Sequence, residues 1–319
     1  MELEMKKRSL GQHGPELTVI GFGAWAIGGP WIYGWGKVDD RESVQAIHSA
    51  LDSGINWIDT AAAYGLGHSE EVVGKAIKGM KHRPFIATKC GLVPDGKGNV
   101  YRNSRPESIR KEAEESLRRL GTDCIDLYQI HWDDASVPYE ESWGTMVRLK
   151  EEGKIRHIGL CNYTAAMMER CRKIHPIQSL QPPYSMLTRE VENETLPYCL
   201  KHNIGVVVYS PMQSGLLTGR FELRKLAPDD WRHKYHWFQE PHLSKALKLV
   251  EDLRPVAEKH KRSVGHLAIQ WVLRQSAVTS AIVGARRVEQ VDENTGAAKD
   301  LPAGVMDEVT GILEKHFPS

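Results

Sequence analysis

The sequence predicts an α/β protein, a (β/α)8 barrel of the TIM-barrel type with an N-terminal β-hairpin. Short β-branched runs alternate eight times with longer segments of helical periodicity, which is the pattern of parallel strands joined by crossover helices. No linker rich in glycine, serine and proline divides the chain, so we expect residues 1–319 to form one domain. An open doubly wound sheet and two domains are the alternatives, but eight strand–helix units fit a closed barrel best.

The predicted strands and helices alternate through most of the chain. The strands are Leu17–Phe22, Ile55–Asp59, Phe85–Lys89, Ile125–His131, Ile155–Leu160, Ile177–Gln181, Ile204–Tyr209 and Ala281–Val283. The helices lie near residues 41–52, 69–79, 106–119, 140–152, 164–173, 189–201, 242–274 and 287–297. The seventh strand lacks the alternation of a half-exposed strand, as expected for a strand that is buried on both faces.

The third helix has recognisable ends. Ser104 and Glu107 resemble a capping box, and Pro106 is well tolerated in a first helical turn. Gly121 is a typical residue at a helix C-terminus. Apolar residues follow at spacings of four and three on one face: Ile109, Ala113, Leu117 and Leu120. These positions predict a helix that packs against a core.

Two segments interrupt the alternation. Residues 7–18 predict a hairpin with Gly11 and Gly14 at its turn, in a position to close the bottom of the barrel. Residues 210–241, after the seventh strand, form a long connection rich in Trp, His and charged residues. Loops of that length in compact domains are usually functional or mobile.

The composition excludes several classes of partner. A formal net charge of +1 gives no reason to expect a nucleic-acid or acidic-membrane partner. The N-terminus has no apolar signal segment, and no run approaches the roughly 18 apolar residues of a membrane span. Five scattered cysteines without a Cys-x-x-Cys pair indicate reduced thiols. We therefore expect a cytoplasmic protein.

The segment Gly21–Ala26 matches the loose glycine fingerprint of a Rossmann dinucleotide site. That mechanism needs a helix that opens directly on the turn and points its N-terminus at the pyrophosphate. Here the chain continues into Gly28, Gly29 and Pro30, which do not begin a helix. A turn after the first strand explains the glycines better.

Ionisable residues end three consecutive predicted strands: Asp59, Lys89 and His131. In a parallel barrel, functional residues cluster at the C-terminal ends of the strands. Taken singly, Asp59 could cap a turn, His131 could be a core histidine and Tyr64 a pocket aromatic. Lys89 is harder to dismiss, because it ends an apolar strand and a buried lysine needs a partner. Asp59 on the neighbouring strand is the obvious candidate.

Together these four residues predict proton transfer. A tyrosine has a pKa near 10, and a lysine cation beside Tyr64 would lower it so that the phenol becomes a usable acid. Asp59 would keep Lys89 charged. His131 would donate a second hydrogen bond to the substrate oxygen that receives the proton from Tyr64. No metal constellation or nucleophile elbow is present. His233, His236 and His242 lack supporting ligands, so we expect no metal site. We expect a bound cofactor to supply the chemistry that these side chains lack.

The sequence resembles the aldo-keto reductase family over nearly its whole length. Within that family it is most similar to the bacterial general-stress and inositol-locus reductases. The matching motifs are Gly54–Gly65, Thr88-Lys89, Tyr128–His131, Ile158–Tyr163, Val208–Pro211 and Ser214–Gly219. The resemblance implies a barrel that binds NAD(P)H across its mouth, and a catalytic tetrad of Asp59, Tyr64, Lys89 and His131 with Tyr64 as the proton donor. The implied activity is reduction of an aldehyde or ketone to an alcohol.

The resemblance also implies a set of cofactor contacts. Asn162 and Gln181 would hold the carboxamide, and Tyr209 would stack on the nicotinamide. The chain from Ser210 to Gly219, with Arg220, would follow the pyrophosphate. The full expected set is Gly23, Ala24, Trp25, Asp59, Cys161, Asn162, Gln181, Tyr209, Ser210, Pro211, Met212, Gln213, Ser214, Gly215, Leu216, Arg220, Gly284, Ala285, Arg286, Gln290, Glu293 and Asn294.

Two departures from the family pattern concern the cofactor. Cys161 stands where a serine is usual, and it is a weaker hydrogen-bonding group. At the adenosine end, Gly284-Ala285 and Gln290 replace the usual Lys-Ser and later Arg. Arg286 and Arg287 could still clamp a 2′-phosphate in a bidentate way, although they could also be a surface pair. We therefore favour NADPH over NADH.

Four aromatic residues are expected to line the substrate pocket: Trp31, Tyr33, Trp35 and Trp132. Packing of the first loop onto the barrel rim is the alternative for Trp35. The segment 231–237 could fold over the cofactor. The rival functions are a sugar or polyol dehydrogenase, an NADPH-sensing subunit resembling the potassium-channel β subunits, and a cofactor-free lyase or isomerase. We expect a monomer that acts on a small carbonyl substrate.

Overall fold

The computed structural model describes residues 5–318. Its strands in chain order are β1 (Lys7–Ser9), β2 (Glu16–Thr18), β3 (Ile20–Gly23), β4 (Trp57–Asp59), β5 (Phe85–Cys90), β6 (Leu92–Pro94), β7 (Val100–Arg102), β8 (Ile125–Ile130), β9 (Ile155–Cys161), β10 (Ser179–Gln181), β11 (Gly205–Val208) and β12 (Val278–Gly284). Its helices are α1 (Asp40–Asp52), α2 (His68–Ile77), α3 (Pro106–Leu120), α4 (Tyr139–Glu151), α5 (Ala165–Arg172), α6 (Thr195–Lys201), α7 (His242–Lys259), α8 (Val264–Leu273), α9 (Val288–Thr295) and α10 (Val305–His316).

Eight parallel strands close into a barrel in the order β10-β11-β12-β3-β4-β5-β8-β9. Each strand leads into an outer helix or loop, so the C-terminal ends of all eight strands open at one mouth. The predicted (β/α)8 barrel is confirmed. No helix among residues 5–318 is long and apolar enough to cross a membrane.

The N-terminal hairpin pairs β1 with β2 and closes the bottom of the barrel, as predicted. Leu10 and Leu17 are fully buried in one cluster with Trp57, which lies inside the barrel. The Arg8 guanidinium donates to the carbonyl oxygens of Val278 and Leu273 at 2.5 and 2.9 Å. These contacts hold the hairpin against β12 and fill the bottom with apolar side chains.

The first predicted strand begins too early. Leu17 and Thr18 belong to β2 of the hairpin, and the barrel strand starts only at Ile20. The Thr18 hydroxyl donates to the Ile20 carbonyl oxygen at 2.7 Å and closes the bend between the two strands. The apolar run therefore spans a corner that its composition does not reveal.

Several helix boundaries differ from the prediction. The segment 242–274 is two helices, because the chain breaks at Lys261, which has a φ of 52°, and restarts at a capping box on Ser263. The segment 189–201 is a 3-10 turn followed by α6. The predicted cap by Ser104 is wrong: α3 begins after Arg105, and the Ser104 hydroxyl is buried without a hydrogen-bond partner. Gly121 ends α3 in the left-handed conformation, as expected.

Two elements were not predicted at all. Helix α10 packs against α7 and α8 on the outside of the barrel. The second element is a hairpin at the mouth, in which β6 pairs with β7 so that Leu92 is opposite Arg102. The Asn103 N–H donates to the Gly91 carbonyl at 3.2 Å and closes the base of this hairpin two residues after Lys89.

Candidate active site

The four predicted catalytic residues meet at the mouth of the barrel. Asp59 is the last residue of β4, Lys89 lies near the end of β5, and His131 directly follows β8. Tyr64 begins a 3-10 turn after β4. Adjacent parallel strands that end at the same level bring these side chains together, as the sequence predicts.

Lys89 is fully buried and all three of its protons are engaged. Its Nζ donates to both carboxylate oxygens of Asp59 at 2.7 and 2.9 Å and to the Thr60 carbonyl at 2.9 Å. It also donates to the Tyr64 hydroxyl oxygen at 3.1 Å. Gln181 supplies a further hydrogen bond to Asp59 at 2.8 Å. The predicted pairing of Lys89 with Asp59 is confirmed.

The Tyr64 hydroxyl therefore accepts from Lys89 and keeps its own proton for another partner. Among residues 5–318, no hydrogen bond from this hydroxyl to a protein acceptor is present. Tyr64 lines the mouth cavity described below, so its proton is available to a molecule bound there. This is the arrangement that a general acid requires.

The pKa of Tyr64 differs from the expectation. Burial raises the pKa of Tyr64 above its usual value, and the Lys89 cation opposes only part of that rise. The expectation that Lys89 brings the Tyr64 pKa below its ordinary value is therefore wrong for the free protein, because desolvation of the phenolate outweighs the attraction. Tyr64 is a phenol at neutral pH.

Burial lowers the pKa of Lys89, but the combined interactions with Asp59, Tyr64 and Cys161 outweigh it, so the pKa lies above its usual value. Burial raises the pKa of Asp59, and the Lys89 ammonium opposes that rise. Burial, with a smaller contribution from the Lys89 cation, lowers the pKa of His131 well below its usual value. His131 is therefore a neutral imidazole that can donate one N–H.

His131 and Asn162 stand on either side of the tyrosines. The rings of His131 and Tyr64 are 5.9 Å apart and nearly perpendicular. Asn162 donates to the His131 carbonyl at 3.0 Å and accepts from the Tyr209 hydroxyl at 2.8 Å. Its backbone has a φ of 62°, in the left-handed region. These hydrogen bonds fix Asn162 and Tyr209 in relation to the tetrad.

A cavity of about 1000 Å³ extends from the tetrad across the mouth to β12 and α9. It includes most of the residues expected to contact a cofactor: Gly23, Trp25, Asp59, Asn162, Gln181, Tyr209, Ser210, Pro211, Met212, Ser214, Gly215, Arg220, Gly284, Ala285, Arg286, Gln290, Glu293 and Asn294. Trp31, Tyr33, Trp35 and Trp132 also line it, as expected for a substrate pocket.

Four of the expected residues do not line the cavity. Ala24 and Leu216 are fully buried in the hydrophobic core, so their side chains face away from the mouth. Cys161 is buried beside the tetrad, below the cavity wall. The Gln213 side chain is used within the protein, where its oxygen accepts from Ser185 at 2.5 Å. The sequence motif assigned these residues because their neighbours do line the wall.

The shape and polar groups of the cavity fit a dinucleotide. Ser210, Ser214 and Gly215 all have positive φ, at 56°, 52° and 96°, so the chain after β11 turns its backbone repeatedly along the wall. The indole N–H groups of Trp31 and Trp35 are buried without a hydrogen-bond partner and line the same cavity. Unpaired buried donors of this kind are costly unless a ligand accepts from them.

The far end of the cavity carries charge. Arg286 donates to the Trp35 carbonyl at 2.9 Å, and its backbone N–H donates to the Gln290 side chain at 2.8 Å. Arg220 pairs with Glu293 across the cavity edge at 3.1 Å. Asn294 donates to the Gly284 carbonyl at 3.1 Å. His266 and Ser263 from the start of α8 also line this end and were not predicted.

The loops at the mouth contact one another through aromatic rings. The Trp25 ring lies 5.6 Å from Trp35 and 5.4 Å from Trp231, and the Arg232 guanidinium lies 4.4 Å above Trp35. Arg232 also donates to the Ser214 carbonyl at 3.3 Å. The loop after β11 therefore folds back over the mouth and meets the loop after β3, as the sequence suggested.

The mouth hairpin β6–β7 adds wall residues that sequence reasoning missed. Leu92, Val100, Tyr101 and Arg102 all line the cavity. A signal was available: a turn with Asp95, Gly96 and Gly98 lies between Leu92-Val93 and Val100-Tyr101, and residues of these types flanking a glycine turn are typical of a hairpin. The segment is short and lies outside the eightfold alternation, so the barrel pattern concealed it.

Known proteins share this fold and these motifs. A model of the aldo/keto reductase family matches residues 19–314. An aldo-keto reductase from Bacillus subtilis, YhdN, is 42% identical over 300 residues, covering 92% of this chain and 89% of that protein. The NADH-specific methylglyoxal reductase of Escherichia coli is 38% identical, covering 98% of this chain and 100% of that protein.

A solved structure, the glycerol dehydrogenase AKR11B4 from Gluconobacter oxydans, is 40% identical with a TM-score of 0.88, covering 98% of this chain and 96% of that one. Proteins of the family use a nicotinamide cofactor and act on small carbonyl compounds. The match of family model, relatives and barrel extends over nearly the whole chain. The chain is therefore an oxidoreductase that belongs to the aldo/keto reductase family.

Proposed function

We propose that this protein reduces small aldehydes or ketones to alcohols with NADPH, and that Tyr64 is the proton donor. One observation carries the proposal: the buried Lys89 ammonium donates to the Tyr64 hydroxyl at 3.1 Å while that hydroxyl lines a cavity large enough for a dinucleotide. Asp59, Lys89 and His131 complete the proposed catalytic group.

The proposed mechanism assigns one role to each side chain. When bound, the nicotinamide supplies the hydride. Tyr64 gives its proton to the carbonyl oxygen, and the Lys89 cation stabilises the phenolate that this leaves. Asp59 neutralises Lys89 in the buried site, and the neutral His131 donates a hydrogen bond to the same oxygen. Asn162, Gln181 and Tyr209, which line the cavity, would hold the nicotinamide when it is bound.

The preference for NADPH rests on the two arginines at the far end of the cavity. Arg286 is already engaged with Trp35, whereas Arg287 is exposed and makes no ion pair with any residue from 5 to 318. Arg287 also precedes the first turn of α9, where the helix dipole favours an anion. We therefore assign the 2′-phosphate contact to Arg287. The name of the Escherichia coli relative points to NADH, so this choice needs its own test.

The central experiment follows NADPH oxidation near 340 nm with a panel of small aldehydes that includes methylglyoxal. We expect turnover by the natural protein and a loss of at least about 100-fold in the Tyr64→Phe variant, with NADPH binding retained. Tyr198→Phe is the control, because it removes a hydroxyl from a tyrosine of α6 that does not line the cavity. Tight NADPH binding without turnover of any aldehyde would favour a sensor and contradict the proposal.

A second candidate is oxidation of a polyol, which the similarity to a glycerol dehydrogenase favours. The same four residues serve this direction with Tyr64 as the base. Incubation with glycerol and either NADP+ or NAD+ would test it. If oxidation exceeds reduction at neutral pH and matched saturation, the dehydrogenase is the better description.

A monomeric state, a single domain over residues 1–319 and a cytoplasmic location stay predictions of the sequence.

A further inference from the structure

The mouth hairpin β6–β7 places a guanidinium on the wall of the cavity that the proposed catalytic group also lines. We propose that Arg102 binds a carboxylate on the substrate, so that this enzyme prefers aldehydes that carry a carboxylate over neutral ones. The inference rests on the proposed function, since it specifies the substrate of that site. It makes Arg102 a specificity-determining residue.

The position of Arg102 follows from the strand pairing. Arg102 is opposite Leu92 in the hairpin, and Leu92 comes three residues after Lys89. The hydrogen bond from Asn103 to Gly91 holds this end of β7 against the end of β5. Arg102 lines the cavity that also contains Tyr64 and His131.

Two contacts hold the guanidinium in place. It lies 5.1 Å above the ring of Trp132, which directly follows His131. Its Nη1 donates to the Asp133 carbonyl at 3.2 Å. No hydrogen bond from its Nε or Nη2 to any residue between 5 and 318 is present, so these donors remain for a ligand. A planar fork with free donors is suited to bidentate binding of a carboxylate.

The charge around Arg102 is not balanced within the cavity. The other wall residues of the hairpin, Leu92, Val100 and Tyr101, are uncharged, and so are Trp132 and the wall residues Trp31 and Tyr33 of the loop after β3. Asp59 is neutralised by Lys89, and burial keeps His131 uncharged. Nearby Asp134 accepts from the backbone N–H of Ser104 and from Ser136, outside the cavity. Arg102 is thus an exposed cation beside the Trp132 ring, and it makes no ion pair with any residue from 5 to 318.

A carboxylate fits this environment better than a phosphate. A phosphate carries close to two negative charges at neutral pH and is usually held by several cations or a helix N-terminus. Among the described wall residues of this part of the cavity, Arg102 alone carries a positive charge that is free of an acidic partner. The aromatic rings around it suit the carbon chain between carboxylate and aldehyde.

The test compares matched pairs of substrates: succinic semialdehyde with butanal, and 4-carboxybenzaldehyde with 4-nitrobenzaldehyde. The measured quantity is the ratio of kcat/KM for the anionic and the neutral member of each pair. In Arg102→Gln we expect this ratio to fall about tenfold, mainly through KM for the anion, and in Arg102→Lys to fall less. Arg105→Gln is the control, because it removes a nearby positive charge that does not line the cavity.

An unchanged ratio in Arg102→Gln, or an equal fall in Arg105→Gln, would overturn the proposal and leave Arg102 as a support for Trp132. A binding measurement separates this inference from the proposed function. Calorimetry with 4-(hydroxymethyl)benzoate and NADPH should show weaker binding in Arg102→Gln than in Arg105→Gln. If that difference appears without turnover of any aldehyde, the reductase proposal fails and the carboxylate site stands. If binding is the same in both variants, the carboxylate site fails.

Discussion

The Nζ atom of Lys89 lies 3.1 Å from the Tyr64 hydroxyl oxygen and 2.7 Å from the nearer Asp59 oxygen, so one buried cation joins an acid to a carboxylate. With the Thr60 carbonyl, Lys89 has four acceptor oxygens for its three protons, so all of its N–H groups are engaged within the protein. The Tyr64 hydroxyl accepts one of these hydrogen bonds and keeps its own proton for a molecule bound in the cavity.

This relationship makes a prediction about stability. Lys89→Met leaves the Asp59 carboxylate buried without its cation, and loss of one partner of a buried pair costs about 3–5 kcal/mol. The double variant Asp59→Asn, Lys89→Met removes both charges, and we expect it to be more stable than Lys89→Met alone. Urea unfolding at pH 7 provides the comparison. Additive losses from the two substitutions would show that the pair is not energetically coupled.

The pH dependence of activity follows from the shifted pKa values. Tyr64 must be protonated for reduction, and burial keeps it protonated beyond its ordinary pKa of about 10. His131 stays neutral because its pKa is lowered. We expect kcat for reduction to be nearly flat between pH 6 and about 9, and kcat for oxidation, which needs the phenolate, to rise over that range. A step in the reduction profile near pH 6.5 would contradict the neutral His131.

A buried acid outside the site predicts a pH-dependent stability. Burial raises the pKa of Glu112 to about 7, while its carboxylate accepts from the Gly91 backbone N–H at 3.0 Å. The folded protein therefore binds a proton that the unfolded chain releases near pH 4.5, so this group lowers stability as the pH rises from about 4.5 to 7. The difference is on the order of 3 kcal/mol.

Glu112→Gln tests this sign, because the amide cannot ionise but its oxygen can still accept from Gly91. We expect the variant to gain stability relative to the natural protein on going from pH 5 to pH 8. Parallel urea titrations at the two pH values measure the change. A variant that loses relative stability at pH 8 would mean that the ionised Glu112 is favourable in the fold.

A comparison of KM values for NADPH and NADH tests the choice of cofactor. We expect Arg287→Ala to raise KM for NADPH about tenfold more than KM for NADH, because only NADPH has the 2′-phosphate. Arg286→Ala should affect both cofactors, since it releases the Trp35 loop. Glu289→Gln, which removes a negative charge from the same wall, should act in the opposite direction on NADPH. Equal KM values for the two cofactors in all proteins would contradict the NADPH assignment.

The sequence was sufficient to predict the barrel and the positions of Asp59, Lys89 and His131, because parallel strands place their C-terminal residues at one mouth. It was insufficient for the Tyr64 pKa, whose direction depends on burial as well as on the charge of Lys89. The position of Arg102 also escaped it, because a mouth hairpin is set by contacts with other strand ends. Helix α10 was different: Val305, Val309 and Leu313 repeat every four residues, so its signal was present in the sequence.

The hairpin of β1 and β2 has a consequence for proton supply. Leu10, Leu17 and Trp57 form a buried apolar cluster at the bottom of the barrel, and apolar side chains do not relay protons. All the hydrogen bonds that Lys89 donates go to oxygens of Asp59, Thr60 and Tyr64. In the proposed reaction, we expect each proton that Tyr64 gives away to be replaced from solvent at the mouth, because Tyr64 lines the cavity through which substrate enters and product leaves. Reprotonation of Tyr64 and the exchange of substrate and product would then take place through the same opening of the barrel.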